Sequence, residues 1–185
     1  KNKFIINNPF FVHKMGTIKL TDFICNSKLT VIESTLNCTN ATFRNKTINQ
    51  SCILTRDLFI SDHFINNGII KSIESICLID DKVEIQNSNN KIETGKIISN
   101  AKEAAIKLNS IKVDKLIING QFVSNVKYPV LDTIEVGPEG EIEIDEKGKI
   151  LNLKTIKNSG KLKITSSVPS LESIETEPSS YIYLE

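Results

Sequence analysis

Tryptophan is absent from these 185 residues, methionine occurs once, and arginine only twice, at Arg44 and Arg56. Proteins that read nucleic acid lean on arginine forks and stacked aromatic rings, so no nucleic-acid partner is expected. Charge of one sign is lacking too. The 23 basic residues meet 22 acidic ones, and a formal net charge of +1 leaves no global field to draw the chain onto anionic surfaces. No apolar run approaches the roughly 18 residues of a membrane-spanning helix, so no membrane insertion is expected. Phosphate-loop, HExxH and CxxC motifs are missing. The four cysteines, Cys25, Cys38, Cys52 and Cys77, lie 13, 14 and 25 positions apart, which is not a zinc spacing. Neither a metal nor a cofactor is expected. The opening KNKFIINNPFFVHKMG also lacks the basic start, apolar core and small-residue cleavage site of a signal peptide. With Met15 as its one methionine, the chain reads as a single domain over 1–185, a fragment or mature part of a larger protein.

What is abundant is lysine, isoleucine and asparagine, the coding bias of an AT-rich genome, read here as bacterial. These residues carry a repeat. Residues 129–144, PVLDTIEVGPEGEIEI, and 169–184, PSLESIETEPSSYIYL, share Pro, Leu, Ile, Glu, Pro and Ile at an offset of 40 (169 − 129). Between them lies LKTIKNSGKLKI, 153–164. The tetrads EIEI, KLKI and YIYL begin at Glu141, Lys161 and Tyr181, so the unit is about 20 residues: two short strands joined by Gly, Pro or Ser turns.

Stacked coils make a testable demand on the outward positions. Glu141 and Glu143 would lie beside Lys161 and Lys163, and these beside Tyr181 and Tyr183. Asp132, Lys154 and Glu172 would form a second column and Glu135, Lys157 and Glu175 a third. The last two run acid, base, acid, and opposite charges across neighbouring strands stabilise by about 0.2–1 kcal/mol per pair. Ile134, Ile156 and Ile174, with Ile142, Leu162 and Ile182, would point inward. Upstream, VDKLIING at 113–120 fits the frame, and IKSIES (70–75) and LTVIES (29–34) resemble LESIE. One stretch departs from it: NAKEAAIKLN, 100–109, with Asn100 as N-cap and Glu103 three residues on, reads as one short helix at a possible seam between an irregular first half and a regular second half.

The expected fold is therefore all-β, a β-solenoid. The spacing L-x-x-I-x-(V/T) resembles the strand part of leucine-rich repeats, although the asparagine that family places after each core is absent. Paired strands such as EIEI and LKTIK resemble a parallel β-helix of the pectate-lyase-like type, and IEVGPEGEIEIDEKGKI resembles a bactofilin coil over some 20 residues.

Resemblance to β-helix polysaccharide lyases and hydrolases would imply clustered carboxylates on one outer face. The candidates are Asp80 with Asp81, Asp57 with Asp62, and Glu141, Glu143, Asp145 and Glu146. The histidines, His13 and His63, stand 50 apart; His63 has Asp62 beside it. Sugar platforms would have to come from Tyr128, Tyr181 and Tyr183. Asp80-Asp81 reads more simply as a solvated turn and Cys25 and Cys77 as buried thiols. The segment NCTNATFRNKTINQSC, 37–52, holds four Asn-X-Ser/Thr triplets, at Asn37, Asn40, Asn45 and Asn49. With 19 Asn and 30 Ser or Thr, about 3 are expected by chance, so their clustering reads as the turns of one coil, with Cys38 and Cys52 reduced and glycosylation not expected.

The functional expectation is a non-catalytic binding or scaffold segment, secreted, at the cell surface or translocated into a host, like an adhesin or effector. Its interaction face would comprise Tyr181, Tyr183, Lys161, Lys163, Glu141 and Glu143, for a protein or glycan partner. The alternatives are a polysaccharide lyase or hydrolase on a β-helix, and a filament subunit that self-associates end to end through an uncapped YIYL coil.

Overall fold

The computed structural model describes residues 2–8, 10–12, 16–87, 91–145, 149–165, 168 and 170–185. His13, Met15, Glu146 and Pro169, singled out above, lie outside the described residues. The chain winds through short strands that alternate between two sheets. The first pair is β1 (Lys3–Ile6) and β2 (Phe10–Val12), and the second is β3 (Thr17–Cys25) and β4 (Leu29–Ile32). Next come β5 (Thr35–Phe43) with β6 (Lys46–Asn49), β7 (Cys52–Ile60) with β8 (His63–Asn66), and β9 (Ile69–Leu78) with β10 (Lys82–Asn87). They are followed by β11 (Ile92–Ser99) with β12 (Glu103–Lys107) and β13 (Ser110–Ile118) with β14 (Gln121–Ser124).

Beyond β13 the long strand of each coil divides in two. Strands β15 (Lys127–Val130) and β16 (Thr133–Val136) precede β17 (Glu141–Ile144), and β18 (Lys149–Ile150) and β19 (Thr155–Asn158) precede β20 (Lys161–Ile164). The last pair is β21 (Ser173–Thr176) and β22 (Tyr181–Leu184). One sheet runs β1-β3-β5-β7-β9-β11-β13-β16-β19-β21, with β15 and β18 alongside, and the other runs β2-β4-β6-β8-β10-β12-β14-β17-β20-β22. Every pairing among the described residues is parallel, between positions from 17 (Cys52 and Ile69) to 22 (Thr133 and Thr155) apart, and the whole is a β-solenoid of about nine turns.

The strands form because apolar β-branched residues alternate with polar ones, a period of two that puts one row inside and the next outside. Inside, Leu116, Ile134 and Ile156 stack in one column and Phe122, Ile142 and Leu162 in another, all fully buried. In the first coils the interior column is built of rings. Phe23 lies 5.6 Å from Phe43, which lies 5.5 Å from Phe64. Asparagine is structural here. Asn49 Nδ2 donates to Asn66 Oδ1 at 2.7 Å, and Asn66 Nδ2 donates to the Gly68 carbonyl at 2.9 Å, both fully buried. Amides stacked coil on coil satisfy one another and the turn backbone that would otherwise be buried unpaired.

The expected outward columns are present. Glu141 faces Lys161 and Lys161 faces Tyr181; Glu143 faces Lys163 and Lys163 faces Tyr183. Glu135, Lys157 and Glu175 stack, with Lys157 Nζ 3.3 Å from Glu175, and Lys154 Nζ lies 3.2 Å from Asp132. Two expectations are corrected. Residues 100–109 form no helix: 103–107 is β12, clamped between β10 and β14, with Ala104 and Ile106 inside and Glu103 and Lys107 outside. Helix propensity is a few tenths of a kcal/mol per residue, less than two flanking ladders supply. Asn100 caps nothing; its Oδ1 accepts from Asn119 Nδ2 of the next coil at 2.8 Å. LTVIES and IKSIES are not equivalent either, since 29–32 is β4 of one sheet and 69–78 is β9 of the other.

Both sheets run through 100–109 without interruption, and the change in coil shape falls after β13, where one long strand becomes two short ones. The stacked charges make a direct test. Lys163→Glu places a carboxylate beside Glu143 and should lower the urea midpoint, and adding Glu143→Lys should restore most of it. A double variant no better than the single would show that the column contributes nothing.

Candidate interaction surfaces

The long strands of the first sheet bend at a corner, where side chains switch from the first half of the strand to the second. At that corner the inward column is polar: Cys38, Thr55, Ser72 and Thr94 follow one another. Their hydroxyls hold carbonyls turned out of the ladder by the bend. Thr55 Oγ1 donates to the carbonyls of Thr39 (3.0 Å) and Asp57 (2.8 Å), Ser72 Oγ to those of Arg56 (2.9 Å) and Ser75 (2.7 Å), and Thr94 Oγ1 to that of Lys96 (3.2 Å). Strand β9 carries one residue more than its neighbours, so Ile73 and Glu74 stand opposite Arg56 alone on one side and Gly95 alone on the other. A Cβ at Gly95 would come within 3.1 Å of the Glu74 carbonyl oxygen and 3.3 Å of that of Ile73. The bulge thus leaves little room for a side chain at the position beside it. It throws Ile73 into solvent, 72% exposed, and lets Glu74 reach Arg56 Nη2 at 2.8 Å. Bulges re-aim side chains in this way. Leu20, Asn37, Leu54, Arg56, Lys71 and Ile73 line a groove of ≈ 470 Å³ along this corner.

Past the corner, the outward residues of the second half-strand form two registered columns. The first is polar and of mixed charge, Lys3, Asp22, Asn40, Asp57, Ser75, Lys96 and Lys115, with Ser75 buried and Lys115 Nζ 2.6 Å from Glu135. Asn40 Nδ2 donates to Asp22 at 2.7 Å and Ser75 Oγ to Asp57. Two residues further along each strand runs a mainly apolar column, Ile24, Thr42, Phe59, Cys77, Ile98 and Ile117, half-buried except for Cys77, which is buried. Ile5, half exposed, continues it at one end, and Glu135 terminates it at the other. No signal for this stripe was read from the sequence, because its members recur at unequal spacings with unlike side chains. The alternation alone shows that Phe59 and Ile98 point away from the core, once their strands are known.

The residues proposed from sequence disperse. Asp80 and Asp81 occupy the turn between β9 and β10, Asp80 with φ of 77° and Asp81 in an ion pair with Lys102 at 2.7 Å. Asp57 is on the outer face of the first sheet and Asp62 in the turn before β8, so they do not join His63. His63 instead stands over the second sheet, Nδ1 3.4 Å from Glu84. Glu143 and Glu141 are held by Lys163 (2.7 Å) and Lys161 (3.6 Å). Tyr181 and Tyr183 are exposed on that same face, whereas Tyr128 is fully buried with its hydroxyl 2.5 Å from Ser124 Oγ, and burial pushes its phenol far up; it is no sugar platform. No three His, Cys, Asp or Glu are grouped to hold a metal among the described residues.

All four cysteines are unpaired. Burial pushes the Cys38 thiol up to about 11, and Cys52 and Cys77 are raised for the same reason. Of the triplet asparagines, Asn49 is fully buried, Asn40 and Asn45 spend their amides on Asp22 and on the Asn26 carbonyl (3.0 Å), and Asn37 is exposed in the corner groove.

Fold and surfaces together define a β-solenoid whose outer faces carry long registered columns. Compared with known proteins, the chain matches no family model, no curated protein and no solved structure.

The most perturbed carboxylate among these groups is Glu84. Lys107 Nζ at 2.6 Å and Gln86 Nε2 at 2.8 Å, with His63 nearby, hold it down at about 2. Its folded value lies below the unfolded 4.5, so its contribution is complete above about pH 4.5 and is lost as pH falls toward 2. Glu84→Gln should flatten the fall in stability between pH 5 and pH 2 by about 1 kcal/mol, allowing for solvent screening of a partly exposed pair, as followed by urea unfolding at each pH. An unchanged slope would remove Glu84 from the acid response.

Proposed function

We propose that this chain is a non-catalytic binding and scaffold segment, part of a secreted, surface-displayed or translocated protein, that holds a protein partner along its outer face. The observation that carries this reading is the outward apolar column from Ile24 to Ile117, registered over six coils beside a column of charges. Apart from buried Cys77 its members are half-buried on the outer side of the sheet, and a contiguous apolar patch rimmed by polar groups marks an interaction site. The adjoining corner groove with Ile73 extends the same face.

A photo-crosslinking side chain placed at Phe59 or Ile98, in the cells that make the protein, should give a discrete adduct of higher mass. The same side chain at Lys163, on the other sheet, should give none. Adducts formed equally from all three positions, or from none, would end this assignment of the face.

A further inference from the structure

Beyond the apolar column, and independently of it, we propose that a lysine strip on the first half of the long strands binds a linear acidic polysaccharide, one carrying carboxylate or sulfate groups. Outward residues there fall in two columns. In one, Ile69, Lys91, Ser110, Lys127 and Lys149 follow one another, with Lys91 just ahead of β11. In the other, two residues along each strand, Lys71, Glu93 and Lys112 do so. All five lysines are exposed, and Glu93 is the one carboxylate in either column among the described residues. In a chain of net charge +1, the strip holds a local excess of four positive charges (5 − 1).

Stacking does not account for these lysines. Lys127 is registered directly against Lys149, and like charges so placed repel. Lys96 and Lys115 are opposed in the same way, but Lys115 is held by Glu135 at 2.6 Å. Among the described residues Lys71, Lys91, Lys127 and Lys149 make no ion pair; Lys112 does, with Nζ 3.0 Å from Glu93. Lys112, with Lys71 and Lys91 behind it, holds the Glu93 carboxyl below its ordinary range. A repulsion left standing on a folded surface is the kind of stability cost that binding sites carry.

Shape and chemistry select the ligand. Four coil steps make the strip about 19 Å long, and its two columns lie about 7 Å apart. Asp114 bounds it at the corner, and Asp145 lies in the turn before β18. A planar anionic bilayer would rest on those acids as well, whereas a single chain running along the solenoid axis avoids them. Single-stranded nucleic acid needs rings to stack on, and the strip has neither an arginine nor an exposed ring. An acidic peptide would lose backbone entropy here without gaining main-chain hydrogen bonds, because these strands are already paired on both edges. A polysaccharide is stiffer, presents charge at regular intervals, and can rest its C–H faces on Ile69 and Leu151, each 51% exposed.

The probes are heparin and polygalacturonate, one sulfated and one carboxylated, each fluorescently labelled and titrated with the full chain at low salt. At least one should bind saturably by anisotropy and be released as added salt screens the charges. Lys127→Gln with Lys149→Gln should weaken that binding by about fivefold or more, while Lys28→Gln with Lys46→Gln, an exposed pair elsewhere, should leave it unchanged. Without ligand, the Lys127 and Lys149 variant should unfold at a higher urea midpoint than the parent, because a repulsion is gone, and should gain less from added polysaccharide. The proposal is overturned if neither polysaccharide binds, if the control pair weakens binding as much, or if the variant's midpoint falls. Tighter binding of an oligothymidylate, or of vesicles of phosphatidylserine and phosphatidylcholine, than of either polysaccharide overturns it too. None of these outcomes bears on cross-links from Phe59, so the apolar face and the lysine strip stand or fall separately.

Discussion

Everything in this molecule follows from one constraint: each coil must hydrogen-bond to the next along its whole length, in register, at about 4.8 Å. Parallel register brings each residue against its counterpart one coil on, so residue types are selected by columns rather than by neighbours in sequence. Like charges in a column repel, and the column of Glu141, Lys161 and Tyr181 avoids this by changing type at each step. Buried amides can satisfy one another only when stacked, as Asn49 and Asn66 are. Where β9 takes an extra residue, the next coil must give way, and Gly95 stands there.

The same constraint separates informative surface residues from uninformative ones. An inward isoleucine is explained by the core, and an outward lysine such as Lys163 by a glutamate one coil away. An outward phenylalanine or isoleucine repeated coil after coil answers to neither. The registered stripe from Ile24 to Ile117 and the bulge that exposes Ile73 are two places where the surface departs from what stacking requires. That departure is why function is argued from them and not from the Glu, Lys and Tyr face, whose pattern the stacking of charges already accounts for.

The C-terminal coils were legible in the sequence because their turns repeat the same chemistry, GPEG, NSG and EPSS, at nearly equal spacing, so 131–136, 153–158 and 171–176 could be laid over one another. Upstream only the alternation persists. LTVIES and IKSIES look alike because both are alternating strands, and alternation does not say which of two sheets a strand belongs to. NAKEAAIKLN looked helical because alanine, glutamate and lysine favour helices locally, while its actual state is decided by β10 and β14, distant in sequence and adjacent in space. Tyr128 stood among the candidate sugar platforms because nothing local indicates that Ser124 meets its hydroxyl inside the coil.

The amino-acid sequence by itself determined that the chain is built of short alternating strands, that the later ones stack with a period near 20, and which charges then oppose each other. These follow from side-chain period and turn chemistry, which act over a few residues. Only the tertiary structure decided which strands share a sheet, where the corner column turns polar, which triplet asparagine stays open to solvent, and that Ile24, Thr42, Phe59, Cys77, Ile98 and Ile117 align. Those outcomes depend on register between coils, and register is set by backbone hydrogen bonds that carry no side-chain signature.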